Sequence, residues 1–239
     1  MTDLFPGGDG IFESLKTHRG IPFAMTRHIA RANRSAFILG MDIQSDTQIR
    51  QAVADVLSKT PESLELGKLR IRFHTSGEID FVHETYHPWT SPARLTILNL
   101  PVDEGSPSAG LKTLPFTENL ECLEQARGEG FDEGVRLNFS GVVSESATSN
   151  LLLKIHGRWV TPSLASGCLP GVTRDLALEW LDIEEAVVTR EELEGVQSMY
   201  LISSLKVAQP VSFLKGRALE IDMKIREELL DRMAQDIDP

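Results

Sequence analysis

The sequence predicts a mixed α/β fold in two parts, and three observations carry that prediction. Short runs with alternating apolar residues, among them Ile11–Thr17, Lys68–Phe73 and Glu78–Val82, show the period of two expected of half-buried strands. Two longer runs, over residues 26–40 and 45–57, carry apolar residues at helical spacing. A cluster of proline, glycine and serine from Pro101 to Gly110 is the strongest boundary signal in the chain. The expected division is a small first domain over 1–104, a linker over 105–110 and a larger second domain over 111–239.

In order, the chain opens with Gly7, Gly8 and Gly10, then the strand pattern of Ile11–Thr17, then a hairpin turn at His18-Arg19-Gly20. Residues 26–40 place Ile29, Ala32, Ala36 and Leu39 on one helical side, with Gly40 suited to a C-cap. His28 and Arg31 sit one turn apart on this helix; from the helix alone, His28 reads as a capping or packing residue and Arg31 as solvated. Ser45 is the N-cap expected for the second helix, whose apolar side is Ile49, Val53, Val56 and Leu57. Arg70 and Arg72 share a strand face that reads as the charged outer face of an antiparallel sheet, with recognition of a substrate carboxylate as the alternative. A third strand pattern covers 94–100, and a helix-like run covers 117–128.

Composition narrows the function classes. With 239 residues, 41% of them hydrophobic, the chain can bury a core in one large domain or two small ones. Its 24 Lys and Arg stand against 35 Asp and Glu, a formal charge of −11 with the basic residues dispersed. Such a balance lacks the basic footprint of a nucleic-acid binder, so neither nucleic acid nor an acidic membrane is expected as partner. The start has no cationic segment followed by an apolar run, and no stretch approaches about 20 apolar residues, so a cytoplasmic protein is expected. Cys122 and Cys168 lie in different elements without metal-ligand spacing and are expected to be free thiols.

The chemistry concentrates between Leu137 and Arg174. A turn at Ser140-Gly141 leads into a strand pattern containing Glu145, and a second hairpin turns at His156-Gly157. Leu169-Pro170-Gly171-Val172-Thr173-Arg174 then opens a helix, where the Val172 and Thr173 amides form a ready anion site. Glu145, in a mostly apolar hairpin, needs a partner there. Upstream, Lys112 is flanked by Leu111 and Leu114 rather than by acids. Apolar surroundings favour the neutral, nucleophilic amine of a lysine, able to form a Schiff base; the plain alternative is a solvated side chain.

A reactive lysine, a carboxylate on a later strand and a phosphate-binding turn beyond it are the three anchors that pyridoxal 5'-phosphate needs. In this order the chain resembles the class IV aminotransferases, the fold type IV enzymes of that cofactor. The resembling stretches are GIFESLKTHRGIPFAMTRHIARANRS, GLKTL at Lys112, FDEGVRLNFSGVVSESATSNLLL around Glu145, LPGVTRD at Gly171 and SSLKVAQPV at Ser203, which together cover nearly the whole chain. The resemblance implies a small α/β domain ahead of a larger barrel-like α/β domain, with the cofactor in the cleft between them, and a homodimer acting on a small-molecule amine. It makes Lys112 the lysine that carries the cofactor and moves the proton, and Glu145 the partner of the pyridine nitrogen. Arg31, in the family's H-x-x-R position, then contacts the phosphate together with the Val172 and Thr173 amides. Ser204 and Leu205 match the turn that supplies phosphate and substrate-carboxylate contacts.

Two short signals within the family bear on the reaction. SSLKVAQPV after Tyr200-Leu201-Ile202 is closer to the lyase pattern than to the turn of branched-chain aminotransferases, and Ser14 sits where lyases tend to carry threonine. The expectation is therefore a 4-amino-4-deoxychorismate lyase giving 4-aminobenzoate and pyruvate for folate synthesis. A branched-chain or D-amino acid aminotransferase is the alternative, and a pyridoxal phosphate-binding protein with little catalysis is a third reading. That third reading draws on a start close to Gly8, which implies a trimmed small domain, and on Pro115 and Phe116, which stand where the family commonly has asparagine and tyrosine.

Overall fold

The computed structural model describes residues 9–59, 61 and 64–239. Gly7 and Gly8 of the opening cluster lie outside the described residues. In chain order the elements are β1 (Gly10–His18), β2 (Ile21–Pro22), α1 (Met25–Leu39), α2 (Asp46–Leu57), β3 (Leu66–His74), β4 (Ile79–Thr85), β5 (Ala93–Ile97), β6 (Thr113–Leu114), α3 (Thr117–Gly128) and β7 (Glu133–Leu137). They continue with β8 (Val143–Ser146), β9 (Asn150–Ile155), β10 (Arg158–Pro162), a 3-10 turn at Leu164–Ser166, α4 (Val172–Trp180), β11 (Ile183–Ala186), α5 (Arg190–Glu194), β12 (Ser198–Ser203), β13 (Val207–Leu214), β14 (Arg217–Ala218) and α6 (Lys224–Gln235).

These elements form two units. The first comprises residues 1–88, 111–116 and 235–239; the second comprises 89–110 and 117–234. This differs from the expected boundaries of 104, 105–110 and 111. The strand expected at 94–100 is β5, and it lies between β13 and β7 in the second unit's sheet. Burial decides this: Ala93 and Leu95 are fully buried in the cluster of Val135, Val211 and Leu214, and removing the Leu95 side chain alone from water is worth roughly 1.5–3 kcal/mol. The Pro/Gly/Ser cluster is a loop of the second unit, while Leu111–Phe116 returns to the first.

In the first unit the sheet order is β2-β1-β3-β4, with β6 also pairing β1. The β1–β3 register runs from Gly10 opposite His74 to His18 opposite Leu66. Residues of odd number on the two strands, Ile11, Leu15, Leu69, Ile71 and Phe73, pack with Ile29, Ala32, Ala36, Ile49 and Val53 of the helices, as alternation on a half-covered sheet requires. Gly40 ends α1 at φ 66° and returns its N–H to Ala36 and Phe37, a left-handed cap that glycine adopts at little cost. Ser45 and Gln48 close a capping box on α2.

In the second unit nine strands form one curled sheet, ordered β11-β10-β9-β12-β13-β5-β7-β8 with β14 beside β13. Pairing is antiparallel except for β10–β11, β13–β5 and β5–β7. Val135, Val143, Leu151, Leu153, Val160, Leu201 and Val211 fill the inside of the curl, which accords with the barrel-like expectation. On the other side Leu152, Tyr200 and Ile202 pack with Ala177, Ile225 and Leu229 of the helices. Among the described residues no helix is long and apolar enough to cross a membrane.

Candidate functional site

In the first unit the candidate residues gather on β1. The Phe12 N–H donates to the Lys112 carbonyl at 2.9 Å, continuing the β1–β6 ladder in which Ile11 faces Thr113. Lys112 is therefore opposite Phe12, and its Nζ lies 4.2 Å from the Phe12 ring centroid and 4.6 Å from that of Phe116. The two rings meet edge to face at 5.2 Å. Phe116, where the family pattern led to an expectation of tyrosine, thus builds an aromatic wall for the lysine. Ser14 follows on the same face of β1, half-buried and opposite Arg70 of β3.

Glu13 points the other way and is the residue that sequence reasoning missed. It is buried at 3% exposure; Arg31 donates through Nε to Oε1 at 2.9 Å and through Nη2 to Oε2 at 2.6 Å, and His28 Nδ1 lies 2.7 Å from the same Oε2. Arg31 and His28 are themselves buried, so neither the solvated nor the capping reading of the isolated helix holds. Burial pushes the Glu13 carboxyl up, but the Arg31 charge and the hydrogen bonds from His28 and Arg31 outweigh it and bring the pKa down to about 2. Burial holds His28 below its ordinary value, and the charges of Arg31 and Lys112 act in the same direction. The signal that could have found Glu13 was its odd register: a carboxylate on the core face of a strand demands a cation from the covering helix.

In the second unit Glu145 lies on β8, half-buried, and accepts from the Leu169 amide at 3.0 Å. That bond ties the carboxylate to the loop that opens α4. Gly171 is the N-cap of this helix and no side chain caps it; the Val172 and Thr173 amides begin the helix as expected. A Cβ at Gly171 would lie 2.0 Å from Asn150 Oδ1, and Asn150 Nδ2 donates to the Leu169 carbonyl at 2.8 Å. Asn150, also missed, is thus the brace that sets the loop's path. An uncapped helix start beside a braced carboxylate suits a phosphorylated pyridine. Arg174, in the same motif, is a buried structural residue paired with Glu185.

Ser204, Leu205 and Lys206 form the turn between β12 and β13. Lys206 bonds the buried Glu133, and also reaches Thr148 Oγ1 at 3.1 Å and Ser149 Oγ at 2.9 Å. The turn is thereby fastened to the β8–β9 connection that follows Glu145. Glu133 also accepts from Ser146 and Thr148, and despite burial these partners, Lys206 foremost, hold its carboxyl below the usual range. Cys122 and Cys168 are buried free thiols; burial first, then the Glu145 charge, pushes Cys168 up to about 11. Among the described residues no group of three or more His, Cys, Asp or Glu is placed to hold a metal.

Three comparisons place the chain among known proteins. The family model for amino-transferase class IV matches residues 10–213. The branched-chain-amino-acid aminotransferase of Escherichia coli K12 is 26% identical over 245 residues, covering 92% of this chain and 77% of the relative. A Thermotoga maritima protein provisionally named as a branched-chain-amino-acid aminotransferase is 30% identical over 217 residues, covering 84% of this chain and 76% of the relative. Among solved structures, a Legionella pneumophila protein provisionally named as a 4-amino-4-deoxychorismate lyase superposes with a TM-score of 0.86 at 22% identity, covering 95% of this chain and 91% of that one.

Proposed function

The chain belongs to the class IV aminotransferase family, enzymes that use pyridoxal phosphate, and from that premise we propose that it transfers the amino group of a small amino acid to a 2-oxo acid. The observation that carries this reading is the match to the E. coli branched-chain aminotransferase across 92% of the chain. A 4-amino-4-deoxychorismate lyase, first in the sequence expectation, becomes the second reading, supported by Ser14, by the Ser203-Ser204-Leu205 turn and by the Legionella structure.

Both readings assign the chain's residues the same work. Lys112, held between Phe12 and Phe116, carries the cofactor and takes the proton from the amino-bearing carbon of the substrate. Glu145 would meet the ring nitrogen of the cofactor and favour its protonated form, and its bond to the Leu169 amide keeps it oriented for that task. Arg31, fixed by Glu13 in the first unit, and the Val172 and Thr173 amides with Ser204 in the second are the groups that would hold the phosphate of the cofactor. Leu205 and Ser14 face the substrate. Bound pyridoxal phosphate supplies the electron sink for the charge left when the proton departs. We propose further that the enzyme is a homodimer.

Acceptor dependence separates the readings. The holoenzyme is given branched-chain and D-amino acids with and without 2-oxoglutarate, and separately aminodeoxychorismate alone. An aminotransferase converts one equivalent of donor per site without acceptor and many with it. Repeated release of 4-aminobenzoate and pyruvate with no 2-oxo acid present, and no amino acid turned over, replaces it with the lyase.

A further inference from the structure

The turn between β12 and β13 is closed by the pair Ser203 and Val207, with Ser204, Leu205 and Lys206 between them. Val207 stands at φ 60°. A left-handed residue in a hairpin turn is ordinarily glycine, and a β-branched side chain there is strained because its Cβ crowds the backbone. Asparagine, the usual substitute, is no answer at this position: Val207 is buried with Tyr200, Ile202 and Ala208, where an amide would lose its water. Strain of this kind persists only where the surroundings hold the backbone in place.

Lys206, one residue earlier, supplies the restraint. Its Nζ bonds the Glu133 carboxylate at the start of β7 and reaches Thr148 Oγ1 at 3.1 Å and Ser149 Oγ at 2.9 Å in the β8–β9 connection, so each of the three ammonium hydrogens has an acceptor. Glu133 is 3% exposed and also accepts from the Ser146 hydroxyl at 2.7 Å and the Thr148 amide at 3.1 Å. A carboxylate at that depth is costly without its cation, which ties Lys206 firmly to it. The main chain of Lys206 is held as well: its N–H donates to Ser203 Oγ at 3.2 Å, and its carbonyl accepts from Trp89 Nε1 at 3.1 Å. From this geometry we infer that Lys206 and Glu133 are positioning residues. Their ion pair keeps Val207 left-handed and so fixes the arrangement in which Ser204 and Leu205 meet the cofactor phosphate and the substrate carboxylate. The consequence for ligands rests on the contacts proposed above for Ser204 and Leu205; the restraint itself lies within the second unit.

The full chain, freed of cofactor, is titrated spectroscopically with pyridoxal 5'-phosphate and with pyridoxal, which lacks the phosphate. Three proteins are compared: wild type, the double variant Glu133→Gln with Lys206→Met, which removes both charges and leaves no unpaired buried ion, and that double variant with Val207→Gly added. The double variant should bind pyridoxal 5'-phosphate roughly 10-fold more weakly, the lower end for a charged hydrogen bond, with pyridoxal unchanged. Trp89 emission, read as the difference between each protein and its Trp89→Phe counterpart, should move to longer wavelength as the indole exchanges the Lys206 carbonyl for water. Adding Val207→Gly should recover most of the lost affinity, since glycine adopts φ 60° without a restraint. Equal losses for the two probes, an unmoved Trp89 emission, or no recovery with glycine overturn the inference. Should the double variant fail to fold, Ser149→Ala, which removes one Nζ acceptor and keeps the ion pair, must give a smaller loss with the same selectivity for the phosphorylated probe. A shifted Trp89 emission with both affinities unchanged upholds the restraint and refutes the phosphate contact proposed for Ser204 instead.

Discussion

Glu13 shows how much a single side chain organises. It is the counterion of Arg31 and the hydrogen-bond partner of His28, all three buried, and its protonation would leave a buried guanidinium uncompensated. Because its folded pKa of about 2 lies below the ordinary 4.5, the unfolded chain takes up the proton first as pH falls. The stabilisation is therefore complete above 4.5 and is lost between 4.5 and about 2. His28, held below 6.5, acts in the same sense from pH 6.5 downward. The midpoint of urea unfolding should therefore decline on acidification, and Glu13→Gln should flatten the limb below 4.5 while costing about 3–5 kcal/mol at neutral pH. A wild-type midpoint that stays constant from pH 7 to 3 would exclude this cluster from the acid response. Glu145→Gln tests a different residue with a different readout. The cofactor should stay bound while kcat drops on the order of 100-fold, because an amide cannot keep the ring nitrogen protonated; near-normal turnover removes Glu145 from that role.

At the scale of elements, α4 and α1 are positioned by contacts distant in sequence. The start of α4 is set by Asn150 against Gly171. Gly171→Ala should displace the Asn150 side chain, break its bond to the Leu169 carbonyl and weaken cofactor binding at least tenfold, measured by spectral titration with pyridoxal phosphate, with a smaller effect on the urea midpoint. Unchanged affinity would mean that the amides of Val172 and Thr173 do not meet the phosphate. Helix α1 has a left-handed Ala24 at its N-cap and no cap of its own. Asp238 supplies one from the other end of the chain, accepting from the Thr26 amide at 2.7 Å, while the Ala24 N–H donates to the Ile237 carbonyl at 2.8 Å. No local motif around Ala24 announces this.

The whole molecule leaves large apolar side chains in water. Among the described residues Phe37 is 87% exposed, Phe139 68% and Val187 65%, and a second copy that covered any of them would gain by removing it from water. Light scattering at micromolar concentration should give twice the 26.5 kDa chain mass for the holoenzyme. A monomer with cofactor bound would contradict the proposed homodimer.

Much was decided by the sequence alone. Alternation, helical spacing and glycine caps are local signals, so β1, α1, α2, β3, β4 and the turns at Ser140-Gly141 and His156-Gly157 were legible, as was the helix start after Gly171. The five ordered motifs identified the family and with it the cofactor. Only the tertiary structure decided where β5 belongs, because a short apolar strand pairs in either sheet until its burial partners are known. It alone placed Glu13 under Arg31, Lys206 on Glu133 and Asp238 on α1. It likewise left Arg70 opposite a valine while its neighbours found acids. Pairings between residues far apart in the chain depend on register and on long-range burial, and neither leaves a periodic trace in the sequence around each partner.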